Sequence, residues 1–258
     1  MFDVLEREGI RDQLIAHARV EPETVGAALV GSGARGQEDE WSDIDLVLQL
    51  ADHADEAAVV ARWTKWIDAQ FSTADTLDVM AGGVRYRVLL LSSSLQIDLS
   101  FFPHRKFRAT ENSFTLLFGS PNSPSNPTQL DVDYVVGMGW LYALHARSAL
   151  ARGRLWQTAM MLDDLRNQIV ALACLRHDLN PWHGRDADRL AQDELIALQS
   201  SRAAELTLAE LGRSKEALVE QFQAEVEFHD PNRARSLAGP LTILSRSASL
   251  SVRLRVAL

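Results

Sequence analysis

Apolar residues occur with two different spacings in the first part of this chain. In residues 3–18 and 54–70 they recur with the three-to-four-residue spacing of a helix that buries one face. Short apolar runs between and after these segments predict strands, at residues 25–30, 46–50, 77–80, 85–91 and 95–102. The dipeptide Gly82-Gly83 separates two of the runs and predicts a hairpin turn. Up to about residue 108 the pattern indicates a mixed α/β layout.

The pattern becomes helical beyond a proline-rich segment, residues 119–129, which is the best domain boundary in the chain. Three predicted helices carry apolar faces, with the members Met138, Leu141, Tyr142 and His145; Leu162, Leu165, Ile169 and Leu172; and Leu218, Phe222 and Val226. The tail from Asp230 is apolar and basic, includes Arg253 and Arg255, and predicts a further helix after Pro240. The expected fold class is α+β, with a mixed-sheet domain at residues 1–118 and a helical bundle at residues 130–258.

Composition and charge narrow the range of partners. With 258 residues, 47% of them apolar, the chain can bury one good core or two modest ones. It carries 26 basic and 35 acidic residues, a net charge of −9. Because affinity for a nucleic-acid polymer comes mainly from neutralised phosphates, such a polymer is not an expected partner. The negative charge suits a small cationic or neutral acceptor better.

Targeting signals are not evident in the sequence. An acidic residue stands near the amino end, where a signal peptide would carry basic ones, and no stretch approaches the ~20 apolar residues of a membrane span. Cys174 is the single cysteine, so neither a disulfide framework nor a cysteine-based zinc site is expected. We expect a soluble cytoplasmic protein with no membrane partner.

A glycine-rich turn at residues 31–36 reads Gly-Ser-Gly-Ala-Arg-Gly. It satisfies the dinucleotide-binding pattern G-x-G-x-x-G, which is weak evidence by itself. A parallel crossover takes at least ~10–12 residues, and only residues 37–42 separate the turn from the next acidic strand, which disfavours that interpretation. A plain glycine turn is a second interpretation.

The third interpretation of the turn is a phosphate-binding one, and it fits the spacing better. Gly31 allows a tight backbone turn, and Ser32 can cap a short helix that follows, with its hydroxyl and amide directed at a phosphate. Arg35 either contacts phosphate or pairs with the acidic residues 38–40.

Three aspartates near predicted strands are candidates for metal chemistry. Asp43 and Asp45 stand two apart at the start of a strand, so both side chains project from the same face. Asp98 lies inside a strongly apolar run, where an unpaired carboxylate is costly. If the two strands are neighbours, ~4.8 Å apart, the three carboxylates converge and can hold Mg²⁺ together with triphosphate oxygens. Solvated strand-start aspartates are the alternative.

At these residues the chain resembles the nucleotidyltransferase superfamily, which shares the DNA polymerase β-like catalytic fold. The family signature is Gly-Ser, a short helix, Asp-x-Asp and a third acid on a later strand. Its counterparts here are Gly31-Ser32, Asp43-Ile44-Asp45 and Asp98. Residues 34–36 and 42–46 also resemble the sequence that is usual in the family. The helical half is similar to the C-terminal domain of kanamycin- and lincosamide-type antibiotic nucleotidyltransferases.

The resemblance implies transfer of a nucleoside monophosphate to a hydroxyl, with release of pyrophosphate. The donor would be ATP or another nucleoside triphosphate, and Asp43 and Asp45 would hold two Mg²⁺ ions. Asp98 would be a further metal ligand or the general base, a role that an unidentified glutamate takes in some relatives. The triphosphate-binding set would be Gly31, Ser32, Arg35 and Ser42.

Three functions stay open at this point. The first is an enzyme that adenylates a small molecule such as an aminoglycoside- or lincosamide-like antibiotic, and the residue group 163–167 (Asp163, Asp164, Arg166 and Asn167) supplies candidate acceptor contacts. The second is a toxin–antitoxin-type nucleotidyltransferase that modifies a protein or a transfer RNA. The third is a nucleotide-binding module without turnover. The oligomeric state is also open, a homodimer included.

Overall fold

The computed structural model describes residues 2–109, 113–126 and 130–246, with side chains up to residue 244. Its strands are β1 (Thr24–Val30), β2 (Ile44–Leu50), β3 (Thr73–Ala81), β4 (Val84–Leu91), β5 (Gln96–Phe102) and β6 (Phe114–Phe118). Its α-helices are α1 (Val4–Val20), α2 (Gly31–Arg35), α3 (Glu56–Phe71), α4 (Val132–Ala151), α5 (Leu155–Arg176), α6 (Gln192–Ser200), α7 (Leu208–His229) and α8 (Pro231–Arg246). The chain divides into two compact units, Met1–Thr128 and Gln129–Leu258.

The first unit is built on one mixed sheet with the strand order β3-β4-β5-β2-β1-β6. The central pair, β2 and β5, is parallel, and the other neighbouring pairs are antiparallel. A parallel pair needs a long crossover, and here α3, β3 and β4 supply it. A mixed sheet followed by helices confirms the predicted α+β class.

Helices α1 and α3 cover one face of this sheet. Leu14 of α1, Trp63 of α3 and Leu48 of β2 are fully buried members of one core. The helix starts are fixed by side chains, because Asp3 accepts a hydrogen bond from the amide of Glu6 and Asp55 caps the first turn of α3. The start of β2 and the neighbouring part of β5 lie at one end of the sheet face that these two helices cover.

Two parts of the sheet differ from the sequence prediction. β3 spans Thr73–Ala81 rather than residues 77–80, because its outer residues pair with β4 although they are exposed. β6 was not predicted, since its five residues pair at the far edge beside β1. The predicted hairpin turn is confirmed: Gly82 and Gly83 both have positive φ, 58° and 69°.

The second unit is helical, as predicted. The apolar faces predicted at residues 162–172 and 218–226 are buried. In α4 the buried face differs from the prediction and consists largely of small residues, among them Gly139, Ala143 and Ala146, while His145 is exposed. These small residues let helices approach closely, and the ring of Phe222 lies against Gly139.

The last described helix starts earlier than predicted. α8 begins at Pro231, where a proline is well placed in a first helical turn, and it continues through Pro240 instead of starting after it. The predicted basic residues Arg253 and Arg255 and the end of the predicted domain 130–258 lie outside the described residues. Within the described part of the chain, no helix is both long enough and apolar enough to cross a bilayer.

Candidate functional site

Three carboxylates meet at the end of the sheet where the central strand β2 begins. Asp45 is the second residue of β2, Asp43 directly precedes the strand, and Asp98 lies on the neighbouring strand β5. Asp45 and Asp98 are register partners in the parallel pair, so their side chains emerge side by side. One oxygen from each of the three carboxylates lies within 4.8 Å of the others, and all three residues are partly exposed.

The fit of this cluster to a divalent cation follows from its chemistry. Three carboxylates within this distance repel one another unless a cation or a proton lies among them. Oxygen ligands suit hard cations such as Mg²⁺. In the described residues, this is the one group of three or more histidine, cysteine or acidic side chains close enough to share an ion.

The surroundings of the Asp98 carboxyl disfavour its charged form. Burial raises the pKa of its carboxyl above the ordinary value. The hydrogen bond from Gln96 opposes that shift, and the charge of Asp43 adds to it. A carboxyl with a raised pKa takes up a proton more readily than an exposed one, which is a property of a general base.

Gln96 is a site residue that the sequence reasoning missed. Its side-chain amide donates to Asp98 Oδ1 over 2.9 Å and to Asp43 Oδ2 over 3.5 Å. The signal available in the sequence was its spacing, because residues two apart on a strand project from the same face. The amide group lies between two of the carboxylates and lowers their mutual repulsion.

Gly31 lies against the Asp45 carboxylate. Its φ of 60° is a left-handed conformation, and a Cβ atom added here would collide with Asp45 Oδ2. Glycine is therefore required twice, by its backbone conformation and by the closeness of the carboxylate. The glycine turn and the Asp-x-Asp element are thus in direct contact.

The other residues of the predicted triphosphate-binding set surround α2 and the loop after it. Ser32 is the second residue of α2, and Val30 occupies the capping position, so the prediction that Ser32 caps this helix is wrong. Arg35 is exposed and donates to the side chain of Gln37 over 3.0 Å. The Ser42 hydroxyl donates to the Asp39 carboxylate over 2.9 Å. The binding of a triphosphate by these residues stays a prediction.

The acidic loop before Asp43 is held by α1, a feature with no signal in the sequence. Glu38 pairs with Arg11 and lies 3.6 Å from Arg7 Nε. The Arg7 guanidinium also donates to the backbone carbonyl of Asp39. One predicted alternative was that Arg35 pairs with the acidic residues 38–40. Arginines of α1 bind Glu38 instead.

Some of the candidate acceptor-binding residues of the second unit already form hydrogen bonds within that unit. Arg166 is buried, where it binds Asp163 and lies 3.4 Å from the hydroxyl of Ser201. Asp163 and Asn167 are exposed. Arg166 is therefore accounted for by packing within this unit, and an acceptor contact from Asp163, the half-buried Asp164 or Asn167 stays a prediction.

Comparisons with known proteins give structural likenesses alone. No family model matches the chain, and no curated protein does. Among solved structures, an aminoglycoside 6-adenyltransferase from Bacillus subtilis is 12% identical over 96% of this chain and 100% of that one, with a TM-score of 0.41.

Two further matches are polymerases. The Cid1 poly(U) polymerase is 16% identical over 39% of this chain and 32% of that one, with a TM-score of 0.31. The polymerase core of TRAMP, an RNA surveillance complex, is 15% identical over 86% of this chain and 59% of that one, with a TM-score of 0.30. At TM-scores of 0.30 to 0.41 these likenesses assign neither a family nor an activity to the chain.

Proposed function

We propose that this chain is a nucleotidyltransferase that transfers a nucleoside monophosphate from a nucleoside triphosphate to a hydroxyl of a small molecule. AMP from ATP is the leading donor reaction, and an aminoglycoside- or lincosamide-like antibiotic is the leading acceptor. The observation that carries the proposal is the convergence of Asp43, Asp45 and Asp98 directly beside the turn that begins at Gly31.

The bond changes in this reaction are simple. The acceptor oxygen attacks the α-phosphorus, a new P–O ester bond forms, and the bond from that phosphorus to the pyrophosphate oxygen breaks. The hydroxyl proton passes to a base, for which Asp98 is the candidate because burial raises the pKa of its carboxyl. Two Mg²⁺ ions held by the carboxylates would neutralise charge on the attacking and leaving oxygens.

The chain's own residues supply positioning and neutralisation. Asp43 and Asp45 hold their carboxylates on one side of the sheet edge, and Gly31 leaves room for that of Asp45. In the proposed arrangement, Gly31 and Ser32 lie next to the β- and γ-phosphates, with Arg35 and Ser42 as further contacts. In phosphoryl and nucleotidyl transfer such positioning accounts for most of the rate enhancement.

The charge of the protein supports a cationic acceptor. A net charge of −9 raises the local concentration of amine-bearing molecules and disfavours a nucleic-acid chain. A toxin–antitoxin-type enzyme that modifies a protein or a transfer RNA would instead place the label on a macromolecule.

The test is an activity screen with product identification. We would incubate the protein with Mg²⁺, each of the four triphosphates and a panel of antibiotics, and measure pyrophosphate release and the mass of the acceptor. The expected result is a Mg²⁺-dependent release with one acceptor, which gains the mass of one nucleotide, and a loss of at least ~100-fold in Asp45→Asn.

Asp52→Asn is the matched control, because Asp52 is exposed and lies beyond the opposite end of β2. It should retain wild-type activity. Full activity in Asp45→Asn would contradict the proposal. Transfer of label from ATP to a lysate protein or RNA, with none to any antibiotic, would support the second function instead.

A further inference from the structure

Arg7 is a charged residue in the interior of the first unit. It lies on α1, 1% exposed, and is among the largest fully buried side chains. Burying a guanidinium costs several kcal/mol unless partners compensate, and replacing such a group by an apolar one is often neutral for stability. A buried guanidinium can therefore serve a role other than stability, which its contacts define.

The contacts of Arg7 are with the loop that connects α2 to β2. Its guanidinium donates to the backbone carbonyl of Asp39, and its Nε lies 3.6 Å from the Glu38 carboxylate. The same carbonyl of Asp39 accepts a hydrogen bond from the backbone amide of Ser42 over 3.3 Å. Arg7 thus binds the oxygen that closes the turn immediately before Asp43.

This turn is tied together further by its own side chains. The Asp39 carboxylate accepts from the amide of Trp41 over 3.0 Å and from the Ser42 hydroxyl over 2.9 Å. The Ser42 hydroxyl in turn accepts from the amide of Asp39 over 2.9 Å. A turn with these four bonds moves as one piece, so a single anchor sets the position of the residue that follows it.

We propose that Arg7 is a positioning residue that anchors this turn and so keeps the Asp43 carboxylate within reach of an ion shared with Asp45 and Asp98. The inference rests on the proposed function for the identity of the ligand, a divalent cation. Asp43 is the one member of the three that precedes its strand, and the sheet's hydrogen bonds fix the other two. Arg7 therefore fixes the position of Asp43, which the hydrogen bonds of the sheet do not fix.

The experiment compares Mn²⁺ binding to the wild type, Arg7→Met and Arg62→Met by electron paramagnetic resonance of free Mn²⁺. Methionine retains length and apolar volume but removes both contacts of Arg7. Arg62 is the matched control, because it pairs with Glu21 and Glu23 in the same unit, away from the loop. Circular dichroism and thermal unfolding establish that each variant is folded.

The expected result is a dissociation constant for Mn²⁺ about tenfold higher in Arg7→Met and unchanged within about twofold in Arg62→Met. Excess Mg²⁺ should restore pyrophosphate release by Arg7→Met, because the defect lies in ion affinity rather than in the chemical step. A folded Arg7→Met with wild-type Mn²⁺ affinity would overturn the role of Arg7, whatever its melting temperature.

Two other outcomes are also decisive. If Arg7→Met does not fold, Arg7→Lys takes its place, since lysine preserves the charge but carries its three donors on one nitrogen and lacks the planar fork by which the guanidinium reaches both partners. Arg7→Lys should weaken Mn²⁺ binding at least threefold, and wild-type affinity there would overturn the inference. A wild type that binds no Mn²⁺ would overturn the metal centre itself, which is a failure of the proposed function and is distinguishable from a failure of Arg7 alone.

Discussion

At the scale of single residues, Gly31 is the position that links the glycine turn to the carboxylates. We predict that Gly31→Ala displaces Asp45, because the new methyl group would occupy the space of its carboxylate. The expected result is a loss of at least ~10-fold in affinity for Mn²⁺, with the protein still folded. Titration of Mn²⁺ monitored by electron paramagnetic resonance measures it.

Gly36→Ala is the control for this substitution. Gly36 has nearly the same φ, 61°, but a Cβ atom there would have open space around it. Both alanines therefore bear similar backbone strain, and they differ in the collision with Asp45. Equal Mn²⁺ affinity in the two variants would mean that the contact between Gly31 and Asp45 is unimportant.

A second prediction concerns the stability of the metal-free protein. Burial raises the pKa of the Asp98 carboxyl in the folded state, so its contribution to stability is present at low pH and is lost as the pH rises through that pKa. Asp98→Asn removes the penalty, and we expect a higher melting temperature than the wild type at pH 7 without metal. The difference should shrink toward pH 3, where the wild-type carboxyl is protonated.

The matching readout for Asp98→Asn is activity. The variant should lose Mg²⁺-dependent pyrophosphate release while it gains stability, as expected where a site retains repelling charges for function. A variant less stable than the wild type at pH 7 would show that Asp98 is stabilised by partners rather than strained.

Sequence reasoning reached part of this site for a clear reason. The three aspartates interrupt or precede apolar runs, so their charges are recognisable in the linear sequence: Asp43, Asp45 and Asp98. Gln96 had a local signal only in its position two residues before Asp98, and Arg7 had none, because its role depends on where α1 packs. Contacts between distant segments leave no local pattern.

At the scale of elements, two arginines of β4 that share one aspartate of β3 connect the β3–β4 hairpin to α3. Asp78 binds Arg87 through two hydrogen bonds of 2.7 Å and Arg85 through one of 2.5 Å. Arg85 also binds Glu56, and Arg87 also binds Thr64, both of α3. The outer strand β3 is largely exposed whereas β4 contributes Leu89 and Leu91 to the core, so these ionic contacts add to the apolar packing of β4 in orienting the hairpin.

We predict that Asp78→Asn lowers the free energy of unfolding by about 1–2 kcal/mol. The Arg87 hydrogen bond, followed by that of Arg85, lowers the pKa of Asp78. Its stabilisation is therefore present at neutral pH and is lost as the pH falls through the lowered pKa. Urea unfolding at pH 7 and pH 3 measures this; a difference between the variant and the wild type that is larger at pH 3 would contradict the account.

Close packing of α4 against α7 supplies a fourth prediction. Gly139→Ala places a methyl group in the space of the buried Phe222 ring and should cost about 1–3 kcal/mol. Gly137→Ala, in the same helix, has 4.0 Å to its nearest neighbouring atom and should stabilise α4 by ~0.5–1 kcal/mol. Opposite signs in chemical denaturation are expected, and equal effects would argue against the close contact.

Element prediction succeeded where burial is one-sided and failed where it is not. β2 and β5 have long apolar runs and were found, whereas β6 is a five-residue edge strand with exposed members. In α4, glycine and alanine form much of the buried face, so the positions of the large apolar residues indicate the wrong side. α8 continues through Pro240, which a local rule treats as a boundary.

At the scale of the whole molecule, the chain has two units with separate cores. The first carries the carboxylates, and the second is a helical unit with a buried face on each long helix. The three carboxylates of the proposed metal centre lie within residues 43–98, so the first unit contains every carboxylate that the proposed chemistry needs. The chain as a whole carries more acidic than basic residues, 35 against 26, a charge balance that attracts cations.

The most direct test of this account is a crystal of the protein grown with Mn²⁺ and a non-hydrolysable ATP analogue, with data collected at the manganese absorption edge. We predict an anomalous peak among the oxygens of Asp43, Asp45 and Asp98, with the triphosphate beside Gly31 and Ser32. A bound analogue with no peak at these carboxylates, or with its phosphates elsewhere, would contradict the central claim.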